Sequence, residues 1–103
     1  MVQLDDQEEL ALKGFLETLE AQSFDPKPKV NKERISRGPE GQIIVPVILQ
    51  GTSPSLSLAL LMGRKADQIY KQTACRFVLA QYLEKDAQMR KYVWVENSWG
   101  SIT

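Results

Sequence analysis

The sequence predicts a single α+β domain whose elements follow the order α-β-β-β-α-β. Three observations lead to this prediction: an amphipathic acidic stretch at the N-terminus, a β-branched apolar run in the middle, and a broad apolar half-circle at helical spacing over residues 64–89. We expect a mostly antiparallel four-stranded sheet, covered by the long helix of the C-terminal half, together with an N-terminal amphipathic helix. The 103 residues have the length of one domain, so we expect one globular unit over residues 1–103.

The first helix is predicted to run from Asp5 to about Gln22. Its apolar residues fall within one arc of about 140° on a helical wheel, which indicates one buried face. Asp5 and Glu8 have the spacing of a capping box, and the acidic side chains of the first turn suit the positive end of the helix dipole. Residues 1–25 therefore form an acidic helical segment, with seven acidic residues and one basic residue.

A linker at residues 26–29 ends this segment, because Pro26 and Pro28 fix the backbone and remove hydrogen-bond donors. Residues 30–96 are predicted to form the body of sheet and helix, and residues 97–103 are predicted to form a tail.

A hairpin is predicted at the start of the body. Val30–Arg37 is a polar candidate for an edge strand, and Gly38–Gly41 has the composition of a turn. Gln42–Gln50 is β-branched and apolar on both faces, so we expect it to be covered on both sides or nearly so. Pro46 lacks a ladder donor, which predicts an edge position or a bulge at that point.

Two rules conflict over Leu56–Met62. Ser53, Pro54 and Gly63 look like the start and end signals of a helix. The leucine spacing favours a strand instead, because every second residue is Leu or Met and these residues scatter around a helical wheel. We predict a strand.

The second helix is predicted to run from Arg64 to about Met89. Besides its main apolar half, it carries Leu79, Tyr82 and Leu83 at helical spacing on the far side. The simpler interpretation is that the first helix packs there. The alternative is a surface for a partner or for a second copy of the chain.

The alternating segment Arg90–Glu96 is predicted to be the last strand of the same sheet. The connection from the third strand through the second helix to this strand has the form of a parallel crossover.

Composition excludes several classes of site. Histidine is absent, which removes Ser-His and Cys-His nucleophile pairs, and the single cysteine cannot build a thiolate zinc site. Neither glycine-rich phosphate-binding motif is present. We therefore predict a protein that is not an enzyme and that has no cofactor and no metal site. The first-turn carboxylates are explained by capping and dipole effects without a cation.

The leading hypothesis is a small protein that acts through protein–protein contact, with another protein or a second copy as its partner. Its candidate surface combines the Leu79–Tyr82–Leu83 patch with acidic residues of the first helix, namely Glu9, Glu17 and Glu20. Nucleic-acid binding is the alternative, because basic residues lie near aromatic ones, but the sequence pI of about 6.3 argues against it. A small enzyme without histidine is the second alternative. No apolar run reaches the length of a membrane span and no secretory signal is apparent, so a cytoplasmic protein without a membrane partner is expected.

Overall fold

The computed structural model describes residues 2–21, 28–50 and 55–84, together with the backbone of residues 91–94. Within these residues there are two α-helices, a short 3₁₀ helix and five strand segments. In chain order these are α1 (Asp6–Ala21), β1 (Lys29–Val30), the 3₁₀ helix (Lys32–Arg34), β2 (Ser36–Arg37), β3 (Ile43–Leu49), α2 (Leu56–Thr73), β4 (Phe77–Leu83) and β5 (Lys91–Trp94).

The strands form one sheet in the order β1-β3-β4-β5, with β2 also pairing with β3. Because β1 and β2 lie one after the other beside β3, the sheet is four strands wide. The pairings of β1, β2 and β5 are antiparallel, whereas β3 and β4 run parallel. The predicted fold class, an α+β domain with a mostly antiparallel four-stranded sheet and an N-terminal helix, is confirmed.

The start of α1 is fixed by a capping box. The Glu8 N–H donates to Asp5 Oδ1 over 2.7 Å, and the Asp5 N–H donates to Glu8 Oε1 over 3.1 Å. Each side chain thus satisfies a backbone donor that the first turn leaves unpaired. The helix buries Phe15 and Leu19, and the Phe15 ring stacks on that of Phe77 with centroids 5.2 Å apart. The predicted helix start is confirmed.

The predicted hairpin is also confirmed. The Gly41 N–H donates to the Gly38 carbonyl over 3.0 Å, and Gly41 has a φ of +83°, which glycine adopts at little cost. The edge strand is interrupted by the 3₁₀ helix. Val30 pairs with Val47 and Ser36 pairs with Ile44, so the edge segment advances six residues where β3 advances three.

Pro46 lies opposite this interruption. Its carbonyl accepts from the Asn31 N–H over 3.0 Å, so its nitrogen also faces the edge strand, where the 3₁₀ helix leaves the ladder. A residue without an N–H therefore faces the place where the neighbouring strand stops pairing. The sequence prediction of an irregularity at Pro46 is explained by this break in the partner strand.

The predicted strand at Leu56–Met62 is wrong, because these residues begin α2. Ser55 is the N-cap, with its Oγ accepting from the Leu58 N–H over 3.1 Å, and the helix continues through Gly63. The leucine spacing was misleading because not every leucine is buried. Leu58 and Met62 are fully buried at i and i+4, but Leu56 is 58% exposed.

The predicted helix over Arg64–Met89 is wrong beyond Thr73. The helix ends at Ala74, a residue in the left-handed region with a φ of 61°, and Phe77–Leu83 forms β4. Six of the seven β4 residues are buried, so the strand lacks the alternation that identifies a half-exposed strand. The parallel crossover consequently runs from β3 through α2 to β4.

The predicted last strand is confirmed by β5, which pairs antiparallel with β4. Three other assignments lie outside the described residues: the first half of the linker at 26–29, the part of the predicted second helix at 85–89, and the tail at 97–103. No helix within the described ranges is long and apolar enough to cross a membrane.

Both helices pack on one face of the sheet. The core on that face combines Phe15, Leu58 and Met62 with the odd-numbered apolar residues of β3 and β4. On the opposite face Pro46 and Ala80 are buried, while Ile44, Ile48 and Tyr82 are half-buried. The expectation that β3 is covered on both sides is thus met fully on the helical face and only in part on the other.

Candidate functional site

A groove of about 350 Å³ runs along α1, on the side of the helix that faces the interrupted edge strand. Its apolar lining comes from the N-terminal segment, from α1 and from the end of the 3₁₀ helix. Charged side chains surround this lining. The apolar residues are Val2, Leu4, Leu12, Leu16 and Ile35, and the charged ones are Glu9, Lys13, Glu17, Glu20 and Lys32.

Helical periodicity explains why α1 supplies most of this groove. Its lining residues recur every three or four positions between Glu9 and Glu20, so they form one stripe along the helix. Phe15 and Leu19 lie on the neighbouring stripe and enter the core. Leu12 and Leu16 are half-buried and pack against that core, so they join the two stripes and give the groove an apolar wall.

The three carboxylates at the rim are only partly compensated by Lys13 and Lys32, which line the same groove. Lys32 Nζ lies 3.7 Å from Glu20 Oε1, but both side chains are more than half exposed. A pair of this kind contributes little stability. Glu9 and Glu17 have no ion pair within 4.0 Å in the part of the chain that the structure describes. The groove therefore presents an apolar wall beside unpaired negative charge.

An arginine fixes the N-terminal end of the groove. Arg37 donates from Nη1 and Nη2 to the two carboxylate oxygens of Glu8, each over 2.9 Å. Its guanidinium also donates to the carbonyls of Gly41, over 3.0 Å, and Gln3, over 3.2 Å. Because Gln3 lies between Val2 and Leu4, this network positions the wall formed by those two residues.

The same ion pair explains the titration behaviour of its members. The hydrogen bonds from Arg37 lower the pKa of Glu8 below its ordinary value, and the capping hydrogen bond with Asp5 lowers it further. The pair joins the first turn of α1 to β2, so we regard Glu8 and Arg37 as positioning residues.

The predicted helical patch of Leu79, Tyr82 and Leu83 does not exist as a surface, because all three residues lie on β4. Leu79 and Leu83 are only 4% and 6% exposed and belong to the core under the helices. Tyr82 points to the opposite face of the sheet, where it is half-buried. Successive residues of a strand face opposite sides, which separates residues that a helix would have brought together.

The other half of the predicted surface does come together. Glu9, Glu17 and Glu20 lie along the rim of one groove, as the helical spacing of α1 requires. Sequence reasoning missed the apolar residues between them. Leu12 and Leu16 belonged to the predicted apolar arc of α1 and were assigned to the core. Nothing in the sequence around Val2 and Ile35 indicated that these residues would line a groove.

A second concavity, of about 980 Å³, lies on the non-helical face of the sheet. It combines half-buried apolar residues of β3 and β4 with polar residues of the edge segment. Arg37 is one of the cations there, and Glu8 neutralises it. The lining residues are Val2, Asn31, Glu33, Arg34, Ile35, Ser36, Arg37, Ile44, Pro46, Ile48 and Tyr82.

The described residues offer no cluster for metal chemistry: no group of three or more Cys, Asp or Glu side chains among them lies close enough to hold an ion. Cys75 is a free, buried cysteine in the core cluster. Its N–H donates to Thr73 Oγ1 just beyond the end of α2.

Comparison of the chain with protein-family models, with curated proteins and with solved structures found no match.

Proposed function

We propose that this chain is a non-enzymatic protein-binding module, and that its binding site is the groove along α1. The observation that carries the proposal is the combination of an apolar wall with an acidic rim, on which Glu9 and Glu17 make no ion pair within the described residues. Protein-binding patches have this organisation, with apolar contacts at the centre and charged groups at the edge.

The half-buried leucines of the groove support the same proposal. Leu12 and Leu16 pack against the core with one side and line the groove with the other. Their exposed part is apolar surface that a partner would remove from water, at about 25 cal/mol per Å². The core under the helix does not need this surface, because Phe15 and Leu19 already fill it.

The contacts of the basic residues give less support to nucleic-acid binding. Arg37 is held by Glu8, Lys32 lies near Glu20, and Lys71 Nζ is 3.2 Å from Asp67 Oδ2. A phosphate backbone needs a continuous stripe of available cations.

We also propose a cytoplasmic location. The single cysteine, buried as a free thiol, is compatible with a reducing compartment of this kind.

Site-specific photo-crosslinking in the native cell tests the proposal. A photoreactive amino acid replaces Lys13, which lies at the groove and is exposed. The matched control places it at Gln68, an exposed position of α2 that does not line the groove. We expect a discrete protein adduct from position 13 only, and we expect Leu12→Gln to remove it.

Equal adducts from both positions, or no adduct from position 13, would contradict the proposal. An adduct with twice the mass of the chain would support it and would identify a second copy as the partner.

A further inference from the structure

We infer that the occupant of the groove is a basic amphipathic helix of another protein. Its apolar side chains would contact Leu12 and Leu16, and its Lys or Arg side chains would face Glu9 and Glu17. This inference rests on the proposed function and adds the chemistry and the conformation of the partner.

The broken edge of the sheet favours a helix over an extended peptide. A peptide that adds to a sheet as a strand needs a row of unpaired backbone groups on an edge strand. Here β1 and β2 have two residues each, and the 3₁₀ helix Lys32–Arg34 separates them. Interruptions of this kind protect an edge from strand addition. The interrupted edge therefore favours an occupant that binds through side-chain contacts, as a helix in a groove does.

The charges of the rim favour a basic partner. Three carboxylates and two ammonium groups line the groove, and Glu20 is near one of these lysines. Glu8 is neutralised by Arg37, while Glu9 and Glu17 make no ion pair within the described residues. An acidic partner helix would place like charges against this rim, whereas Lys or Arg side chains would compensate it.

The spacing along α1 sets the pattern of the partner. Glu9 and Glu17 are eight residues apart, which corresponds to about 12 Å along a helix. A partner helix matches this distance with two cations seven or eight residues apart. Between them, apolar residues at helical spacing would reach the leucine wall. The stripe from Glu9 to Glu20 spans about 16 Å, or roughly three turns of such a helix.

The test uses synthetic helices and the full chain. The probe is an alanine-based peptide of about four turns, with a leucine stripe flanked by lysines at the stated spacing, labelled for fluorescence anisotropy. One control peptide has glutamate in place of lysine, and another keeps the composition but scrambles the leucine stripe. We expect binding of the probe only, with an affinity that falls as salt is raised from about 0.05 to about 0.5 M.

Matched variants locate the binding. Glu9→Gln combined with Glu17→Gln should weaken binding about fivefold, as expected for two exposed ion pairs. Glu33→Gln combined with Glu84→Gln removes the same charge from exposed positions outside the groove and should leave binding unchanged. Leu12→Gln should weaken binding at least tenfold relative to Leu10→Gln, an exposed position of the same helix.

The outcomes distinguish a wrong binding site from a wrong partner. Equal weakening by both pairs of Glu→Gln changes would mean non-specific charge attraction and would overturn the inference. Binding of the scrambled or the acidic peptide would also overturn it. If the groove gives an adduct in the native cell but the lysine probe does not bind, the proposed function stands and the basic helix is wrong. If neither occurs, both are wrong.

Discussion

Gln81 links the sheet to the start of α2, and its replacement gives the sharpest test of the fold. The side chain is fully buried on β4. Its Oε1 accepts from the Ser55 N–H over 2.8 Å, and its Nε2 donates to the Ser55 carbonyl over 3.1 Å. One amide therefore pairs with both backbone groups of the residue that caps α2.

Gln81→Met keeps the length and the shape of the side chain but removes both hydrogen bonds. Each bond contributes about 1 kcal/mol, and leaving the Ser55 N–H without a partner adds about 1 kcal/mol, whereas the Ser55 carbonyl still accepts from the Ala59 N–H. Burying methionine offsets part of this loss, since a buried CH₂ group contributes about 0.8 kcal/mol. We expect a net loss of about 2 kcal/mol in the free energy of unfolding and a fall in Tm of about 10 °C.

Urea denaturation followed by far-UV circular dichroism measures this loss, and an unchanged m-value would show that the unfolded state is not responsible. Gln68→Met is the matched control, because Gln68 is exposed on α2 and should change stability by less than about 0.5 kcal/mol. Amide hydrogen exchange at Ser55 should accelerate in the Gln81 variant. A loss no larger than that of the control would refute the assignment of Gln81 as the anchor of α2.

Three further changes test other contacts. Ala74→Gly should stabilise the fold by about 0.5–1 kcal/mol in the same urea assay, because Ala74 has a φ of 61° and glycine tolerates that conformation better; a destabilisation would contradict the left-handed end of α2. Gly41→Ala should destabilise by about 1 kcal/mol, because the φ of +83° strains a residue with a Cβ, whereas Gly14→Ala in the helix should not destabilise. Arg37→Gln should lower stability at pH 7, and this loss should shrink as the pH falls below roughly 4. The sign follows from the lowered pKa of Glu8: its stabilising contribution is present above the unfolded pKa and is lost as the carboxylate is protonated in the folded state. A loss that stays constant between pH 7 and about pH 3 would assign the effect to the contacts of Arg37 with Gln3 and Gly41 alone.

The rim of the groove could be predicted in part. The spacing of Glu9, Glu17 and Glu20 on a helix is a local property, so the sequence placed them on one side of α1. The opposite wall could not be found in this way, because Val2 and Ile35 approach α1 only in the folded chain. The predicted patch of Leu79, Tyr82 and Leu83 was wrong because it assumed helical spacing for a segment that is a strand. The alternation typical of a strand was not visible in the sequence, because β4 is buried on both faces of the sheet.

The end of α2 could not be predicted from local residue types either. Helices commonly end at glycine in the left-handed region, and here Ala74 takes that position. Gly63, which looked like an end signal, lies buried within the helix. No local residue type therefore marked the boundary between α2 and β4.

The sequence by itself determined the features whose hydrogen bonds close within a few residues. The capping of Asp5 and Glu8 and the turn from Gly38 to Gly41 are of this kind, and both form as their residue types require. The tertiary structure decided whether Leu56–Met62 and Phe77–Leu83 became helix or strand. Phe77 pairs with Ile43, 34 residues earlier. Which leucines of α2 are buried is decided by the packing of this helix on β3 and β4. Each of these two segments has apolar residues on more than one side, so the local spacing of its apolar residues does not distinguish helix from strand. Burial against distant residues therefore decided their secondary structure.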